Sequence, residues 1–327
     1  MRALVVERLA PDYAGCALRD VPIPDPGPGE VRVRVAAAAV NFPDLLMTRG
    51  EYQHKPALPF IPGLEIAGEV EALGEDARGW TIGDPVVGGA RRGGFSQFAI
   101  AAADSLEPKP ARLSFAQASA CGAVYLAAWV SLVRRAQVKA GEWVLVHGAA
   151  GGVGLACVDL AMVLGCRVIA ASASDEKLAL VEAEYAPHAL VNVTGGFRET
   201  VKAITGGRGA DVICDPVGGD VFDESVRCVA FNGRLLVIGF TSGRIPSLAV
   251  NMPLIKGFSV MGVRAGEYGR QFPKHGRENV EAVWGLASKG KIRPRVHAEF
   301  PLSGWRDAFD LLARRAVVGK VVIRPDV

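Results

Sequence analysis

The sequence lacks an excess of charge of either sign: 37 Lys and Arg stand against 34 Asp and Glu, a formal net charge of +3 over 327 residues. So slight a surplus argues against nucleic acid or an anionic membrane surface as the main partner. Long apolar runs are missing too. No uninterrupted stretch approaches the ~18–20 residues of a bilayer span. The N-terminus is charged by Glu7 and has neither the apolar core nor the cleavage site of a secretory signal. The six cysteines form no Cys-x-x-Cys pair and no dense framework, so they read as buried thiols in a reducing compartment, the cytoplasm. The five histidines, His54, His147, His188, His275 and His297, are scattered and form no His-x-x-x-His. Neither a catalytic zinc, with its three or so clustered ligands, nor a structural one is expected from such a set. A Gly-x-Ser-x-Gly elbow, a Gly-Lys-Ser/Thr phosphate loop and a Tyr-x-x-x-Lys pair are also absent. What survives is chemistry that a bound cofactor carries out.

Glycine is plentiful: 39 residues, well above the usual share of about 7%. Two textures divide the chain. Up to about Leu113, short alternating runs such as Glu30–Ala36 and Leu64–Leu73 are broken by Gly and Pro, the pattern of half-buried, mostly antiparallel strands. Pro22, Pro24, Pro26 and Pro28 mark an extended connector. From Trp143 the pattern becomes solid apolar runs, at Trp143–His147, Arg167–Ala171, Ala189–Val193, Asp211–Asp215, Arg234–Gly239 and Phe258–Val263. Helix-period stretches such as Val153–Leu164, Phe197–Ile204 and Val221–Ala230 lie between most of them. Six such strands predict a doubly wound parallel sheet covered on both faces, an α/β Rossmann unit. Beyond Val263 come a helix near Val280–Ser288, a strand near Arg295–Phe300, a helix near Trp305–Arg314 and a strand at Val318–Ile323. This tail can rejoin the β-rich region. The expected division is residues 1–125 with 265–327, and 126–264.

The first strand of the parallel set runs into Gly148-Ala-Ala-Gly-Gly-Val-Gly154. The frame Ala149, Gly151, Gly154 fits a dinucleotide-binding turn, where bare backbone meets a pyrophosphate at a helix N-terminus. About 20 residues on, where NAD-binding chains place an acid for the ribose hydroxyls, the second strand ends in Ala170-Ala-Ser-Ala-Ser174. Ser172, Ser174 and Lys177 suit the 2′-phosphate of NADP, since a lysine in a helix's first turn opposes the dipole unless an anion sits beside it. The bland alternative makes Ser174 an N-cap and Lys177 a solvated charge. His147 reads as a satisfied core histidine.

These features lead to a resemblance that spans essentially the whole chain. Asn41–Asp44 through Tyr52, Leu58–Gly68, Gly148–Gly154, Gly206–Asp211, Asp215–Gly219, Ile238–Gly243 and Gly319–Val322 are similar to the zinc-independent quinone oxidoreductase branch of the medium-chain dehydrogenase/reductase superfamily. Alcohol dehydrogenases of that superfamily carry a zinc-binding Cys near position 41 and Gly-His-Glu at 63–65; here stand Asn41 and Gly63-Leu64-Glu65, without a four-cysteine lobe. The resemblance implies a β-rich, GroES-like catalytic domain (a partly open barrel) built from both chain ends. It also implies NADPH in the cleft beside it, a homodimer, and a quinone or related conjugated carbonyl as substrate.

Carried over residue by residue, Asn41 and Asp44 would lie near nicotinamide and substrate, and Ala150, Gly151, Gly152 and Val153 would hold the pyrophosphate. Ser172, Ser174 and Lys177 would meet the 2′-phosphate. Val217, Phe240, Thr241, Val263 and Arg264 would follow the coenzyme, with Lys320 added to the coenzyme set. Charge developing on the acceptor oxygen needs a donor, for which Tyr52 and Arg264 are the candidates. The chain departs from better-known quinone reductases at Leu46, Ala127-Ala128 and Val193, where Tyr, Thr-Ala and Tyr are usual. Two rival readings are an enoyl- or acryloyl-thioester reductase and a non-catalytic NADPH-binding protein that engages RNA or a protein. For the latter, Arg91-Arg92, Arg134-Arg135 and Arg314-Arg315 are the available basic doublets, and solvated surface is the better prior for them.

Overall fold

The computed structural model describes residues 1–90 and 93–325, so the doublet Arg91-Arg92 lies outside the described residues. The chain forms two compact units, Met1–Gly122 with Pro294–Val327, and Ala123–Arg293.

In the first unit the alternation seen in sequence becomes the two faces of a sheet. Along Glu30–Val40, Val31, Val33 and Val35 are fully buried while Arg32 and Arg34 are not. That strand is central to a seven-stranded sheet in which Val296–Pro301, Lys320–Arg324, Glu30–Val40, Glu65–Leu73, Pro85–Gly89 and Leu106–Pro108 follow one another, and Phe98–Ala102 pairs with Glu30–Val40. Only the two C-terminal strands run parallel. The tail does rejoin this unit: Val321 faces Val40 and Ile323 faces Ala38 in antiparallel register. Arg2–Val6 and Cys16–Asp20 form a separate hairpin. Helix Trp305–Ala313 buries Trp305, Ala308 and Phe309, and Phe309 meets Phe95 and Tyr13 edge-on with ring centroids 5.8 and 5.4 Å apart. Residues 21–27, rich in proline, adopt no regular structure.

In the second unit all six strands are parallel, in the order Ala189–Asn192, Arg167–Ser172, Trp143–Val146, Ala210–Asp215, Val229–Val237, Ser259–Gly262. Numbered along the chain this is 3-2-1-4-5-6, the doubly wound order whose direction reverses between strands one and four. Val144, Leu145, Val146, Val168, Ile169, Val212 and Ile213 are fully buried, as a sheet covered on both faces requires.

Two expectations are corrected. The helix expected at Val221–Ala230 spans Gly219–Ser225, because the N–H of Ala210 takes the carbonyl of Cys228 and Val229 begins the next strand. That strand then bends at Phe231-Asn232-Gly233, where Asn232 is left-handed (φ 60°), and its register with Ala210–Val212 slips. The second division of the chain falls after Arg293, not after 264. The reason is a long-range tie: Arg134 donates to Asn279 and Glu278 at 2.7 Å, which joins helix Pro273–Ser288 to the nucleotide-type unit.

Close to both ends of this second unit the chain is held by one carboxylate. Asp159, buried within helix Gly152–Val163, accepts from the Tyr125 hydroxyl at 2.7 Å, from the Arg293 backbone N–H at 2.7 Å and from the Arg293 guanidinium at 3.2 Å. Tyr185 in turn donates to the Arg293 carbonyl at 2.6 Å.

Candidate functional site

The chemistry-bearing residues fall into one group in each unit. In the second unit the group lies where the strand order reverses. Strand Trp143–Val146 ends at His147, the chain turns at Gly148 (φ 56°), and Gly151 precedes helix Gly152–Val163. The positive φ therefore sits on Gly148, one residue before the Ala149 of the sequence frame. The last glycine of the frame is required by close approach. A Cβ on Gly154 would stand 2.1 Å from the Gly148 carbonyl oxygen, so only glycine lets this helix pack so tightly on its own loop. The first backbone N–H groups of the helix have no intrahelical acceptor, and its dipole favours an anion there. Ala149 and Ala150 are buried, whereas Gly151 is exposed and Gly152 and Val153 are half-buried.

At the end of the second strand, Ser174 caps helix Asp175–Tyr185, its hydroxyl accepting the Lys177 N–H at 3.3 Å. The capping role given to Ser174 in the bland alternative is thus present. Its effect is to place half-buried Lys177 in the first turn, immediately before the buried Leu178. Burial lowers the Lys177 pKa, against the raising effect of Glu176. No carboxylate ends the strand; Asp175, the nearest, accepts from Asn192 at 2.7 Å.

The fourth and fifth strands end in loops stitched to one another. The N–H and hydroxyl of Thr241 both donate to the Pro216 carbonyl at 3.1 Å, and the Ser242 N–H donates to the Val217 carbonyl at 2.9 Å. Asp215 accepts from the N–H groups of Val217 and Gly218 at 2.8 and 2.9 Å. Burial raises its pKa, opposed by those two bonds. A Cβ on Gly148 would lie 3.3 Å from the Val217 side chain. The structure thus gathers the glycine loop, Val217, Phe240 and Thr241 at one edge. Val263 follows the sixth strand, its N–H on the Val237 carbonyl. Arg264 is largely exposed and faces Glu267 at 3.8 Å, the position of a solvated surface charge.

The first unit holds the second group. Strand Glu30–Val40 runs directly into helix Phe42–Arg49, with Asn41 between them and Gly50 closing the helix in a left-handed turn. Asp44, wholly buried, accepts from the Asn41 N–H at 2.8 Å and the Gly63 N–H at 3.0 Å. Burial pushes its pKa up to about 7; the bond from Asn41, the Lys320 charge and the bond from Gly63 pull the other way, and the Glu65 charge adds to the rise. Gly63 is left-handed (φ 102°), and a Cβ there would stand 2.6 Å from the Phe95 nitrogen. Lys320 is buried, its ammonium donating to the Val40 carbonyl at 2.9 Å and to Asn41 Oδ1 at 2.6 Å. Burial lowers its pKa against the pull of Glu65 and Asp44. The Asn41 amide completes the group, Nδ2 donating to Glu65 Oε2 at 3.0 Å and to the Ala39 carbonyl at 3.3 Å.

Asn41, Asp44 and Lys320 are therefore brought together as neighbours. Tyr52 sits half-buried in the turns after the helix. Glu65 was missed among the site residues. An acid heading an otherwise apolar strand start, Glu65-Ile-Ala, is the signal that marks it. Among the described residues no three His, Cys, Asp or Glu side chains come together as a metal centre would need. His147 is a core residue as expected but only half satisfied: Nε2 lies 2.8 Å from the Ser225 hydroxyl, Nδ1 is buried with no hydrogen-bond partner among the described residues, and burial lowers the pKa to about 3. All six cysteines are free and buried.

Comparison with known proteins matches residues 152–283 to the family described as zinc-binding dehydrogenase, and residues 27–111 to the alcohol dehydrogenase GroES-like domain. The chain is 39% identical over 287 residues to a quinone oxidoreductase-like protein 2 homolog of Nematostella vectensis, covering 87% of this chain and 78% of that protein. It is 31% identical to a quinone oxidoreductase of Sus scrofa, covering 87% and 85%. A mycobacterial protein solved in complex with NADPH superposes with a TM-score of 0.89 at 29% identity, over 99% of this chain and 100% of that one.

Proposed function

This chain belongs to the medium-chain dehydrogenase/reductase superfamily, a family of nicotinamide-dependent oxidoreductases, and on that footing we propose that it is an NADPH-dependent, zinc-independent reductase of quinones or related conjugated carbonyls. The observation that carries the reading is the pair of groups just described. One is a glycine turn at a helix N-terminus with Lys177 where a ribose-binding acid would stand; the other is an amide, an ammonium and two carboxyl groups where zinc ligands would be needed.

When bound, the coenzyme supplies a hydride from its nicotinamide C4; a proton completes reduction of the acceptor. The protein's part is binding, orientation and exclusion of water. Gly152 and Val153 would present backbone N–H groups to the pyrophosphate, while Gly151, whose own N–H is spent on the Gly148 carbonyl, and Ala150 would shape the turn that receives it. Ser172 and Lys177 take the 2′-phosphate, a charge-assisted contact that NADH cannot make. Val217, Phe240, Thr241 and Val263 flank the coenzyme. Tyr52 is the donor proposed for the acceptor oxygen, where charge develops. Arg264, exposed and facing Glu267, is set aside from that role.

The cysteines, all free and buried, accord with the cytoplasm as the site of action. We also infer a homodimer. Strand Ser259–Gly262 is an edge of the six-stranded sheet, and Phe231, Val250, Leu254 and Ile255 are each more than 70% exposed. An open edge flanked by apolar side chains calls for cover.

The test is a turnover screen. Purified protein is expected to consume NADPH much faster than NADH with a small 1,4-quinone. Equal rates with both coenzymes overturn the coenzyme assignment. Turnover confined to enones or acryloyl thioesters moves the reading to a C=C reductase, and none with any acceptor removes the enzyme. Salt-sensitive binding of single-stranded RNA that NADPH displaces supports the non-catalytic reading instead.

A further inference from the structure

Asn41 is the one polar group of the first unit's cluster that is only half-buried, and its hydrogen bonds leave it little freedom. A primary amide has two N–H donors and one oxygen with two lone pairs. Here both donors are spent inside the protein, on Glu65 Oε2 and the Ala39 carbonyl. One lone pair of Oδ1 is taken by the Lys320 ammonium. Turning the amide over would set an NH2 group against an NH3+ group that cannot accept, and would aim the oxygen at a carboxylate. Both contacts are repulsive in a buried, weakly screened setting. The orientation is therefore single, and what the amide has left for a ligand is one lone pair on Oδ1.

We propose that Lys320 is a positioning residue. With Glu65 it fixes the Asn41 amide as an obligate hydrogen-bond acceptor, so that Asn41 holds an N–H or O–H donor of the coenzyme and not the oxygen that gains charge on the substrate. A developing oxyanion needs donors, and Asn41 has none to give. A nicotinamide coenzyme offers two suitable donors, its carboxamide N–H and its ribose hydroxyls. This inference rests on the proposed function for the identity of the ligand. Lys320, expected from sequence to touch the coenzyme, acts instead through Asn41.

The experiment is fluorescence titration of NADPH into the full chain and its variants, which reads binding without turnover. Asn41→Ala is expected to raise Kd about five- to tenfold, the worth of one hydrogen bond, while kcat at saturating coenzyme changes less than about twofold. Lys320→Met is expected to raise Kd by a similar factor when Asn41 is present and by less than about twofold in the Asn41→Ala background, the coupling expected of a residue that works through its neighbour. Glu65→Gln keeps an acceptor for Nδ2 and is expected to leave Kd within about twofold. A coenzyme analogue with an acetyl group in place of the carboxamide separates the two donors: if the carboxamide is held, the effect of Asn41→Ala vanishes with the analogue; if a ribose hydroxyl is held, the effect persists.

Additive effects of Lys320→Met and Asn41→Ala overturn the proposal. So does a loss of about 100-fold in kcat with unchanged Kd for Asn41→Ala, which would make Asn41 a donor to the transition state. Asn41→Ala alone decides between these outcomes should Lys320→Met fail to fold. Absence of quinone turnover together with intact NADPH binding counts against the function and leaves this inference standing; if NADH is the coenzyme bound, the same titrations are made with it.

Discussion

The proposed coenzyme choice turns on one side chain, Lys177. Ser174 bonds the Lys177 N–H, and no carboxylate ends the strand before it. Lys177→Ala is expected to cut discrimination between NADPH and NADH, read as a ratio of kcat/KM, by at least about tenfold, since a charge-assisted contact is worth about 1.5–3 kcal/mol. An unchanged ratio refutes the role. His147 carries the pH dependence. Its pKa in the folded chain lies near 3, below the ordinary 6.5, so the unfolded chain takes up the proton first. The resulting stability is complete above pH 6.5 and is lost as pH falls towards 3, at up to about 1.4 kcal/mol per pH unit. Urea melts between pH 4 and 7 should show this slope in the wild type and a shallower one in His147→Gln. At this scale the sequence reveals residue types better than partners. Asn41, Asp44 and Lys320 could be picked out, yet Lys320 is 279 positions from Asn41, and their bond exists only because the last strand pairs with the third. Glu65 has a local signal, its place at the head of an apolar strand start, but that signal does not reveal that its carboxylate receives the Asn41 amide.

At the scale of elements, period and punctuation were readable wherever one face or both are buried. The six parallel strands appear where solid apolar runs stand, because covered sheets demand them. The overlong helix at Val221–Ala230 came from Arg227–Ala230, residues that suit a helix until strand pairing takes the Cys228 carbonyl. The later division after Arg293 was hidden because the tie that sets it, Arg134 to Glu278 and Asn279, joins residues far apart in sequence. The element with least tolerance is helix Gly152–Val163. Gly154→Ala would drive a methyl group into the Gly148 carbonyl and push the helix off its loop, at a cost of about 1–3 kcal/mol. A lower melting temperature together with weaker NADPH binding is the expected result, and wild-type values for both would refute the packing argument.

For the whole molecule, family and fold class were legible because many short motifs agree along the full chain, whereas the proposed homodimer follows from the resemblance and from an exposed apolar border. Two copies of the Ser259–Gly262 edge related by a twofold axis can pair only antiparallel, covering both apolar borders at once. Charging that border with Leu254→Lys and Ile255→Lys is expected to convert the dimer to a monomer in analytical ultracentrifugation. A wild-type chain that sediments as a monomer at micromolar concentration rules the assembly out.

Asp159 has an architectural corollary. Because Tyr125 and Arg293 both reach it, the polypeptide comes into the nucleotide-type half and departs from it beside the same helix. A segment whose two ends meet in this way is built like a cassette: it can be spliced into a host barrel at one seam without stretching either flank. That economy accounts for a first unit in which Glu30–Val40 and Lys320–Arg324, from opposite ends of the chain, nevertheless pair in one seven-stranded sheet.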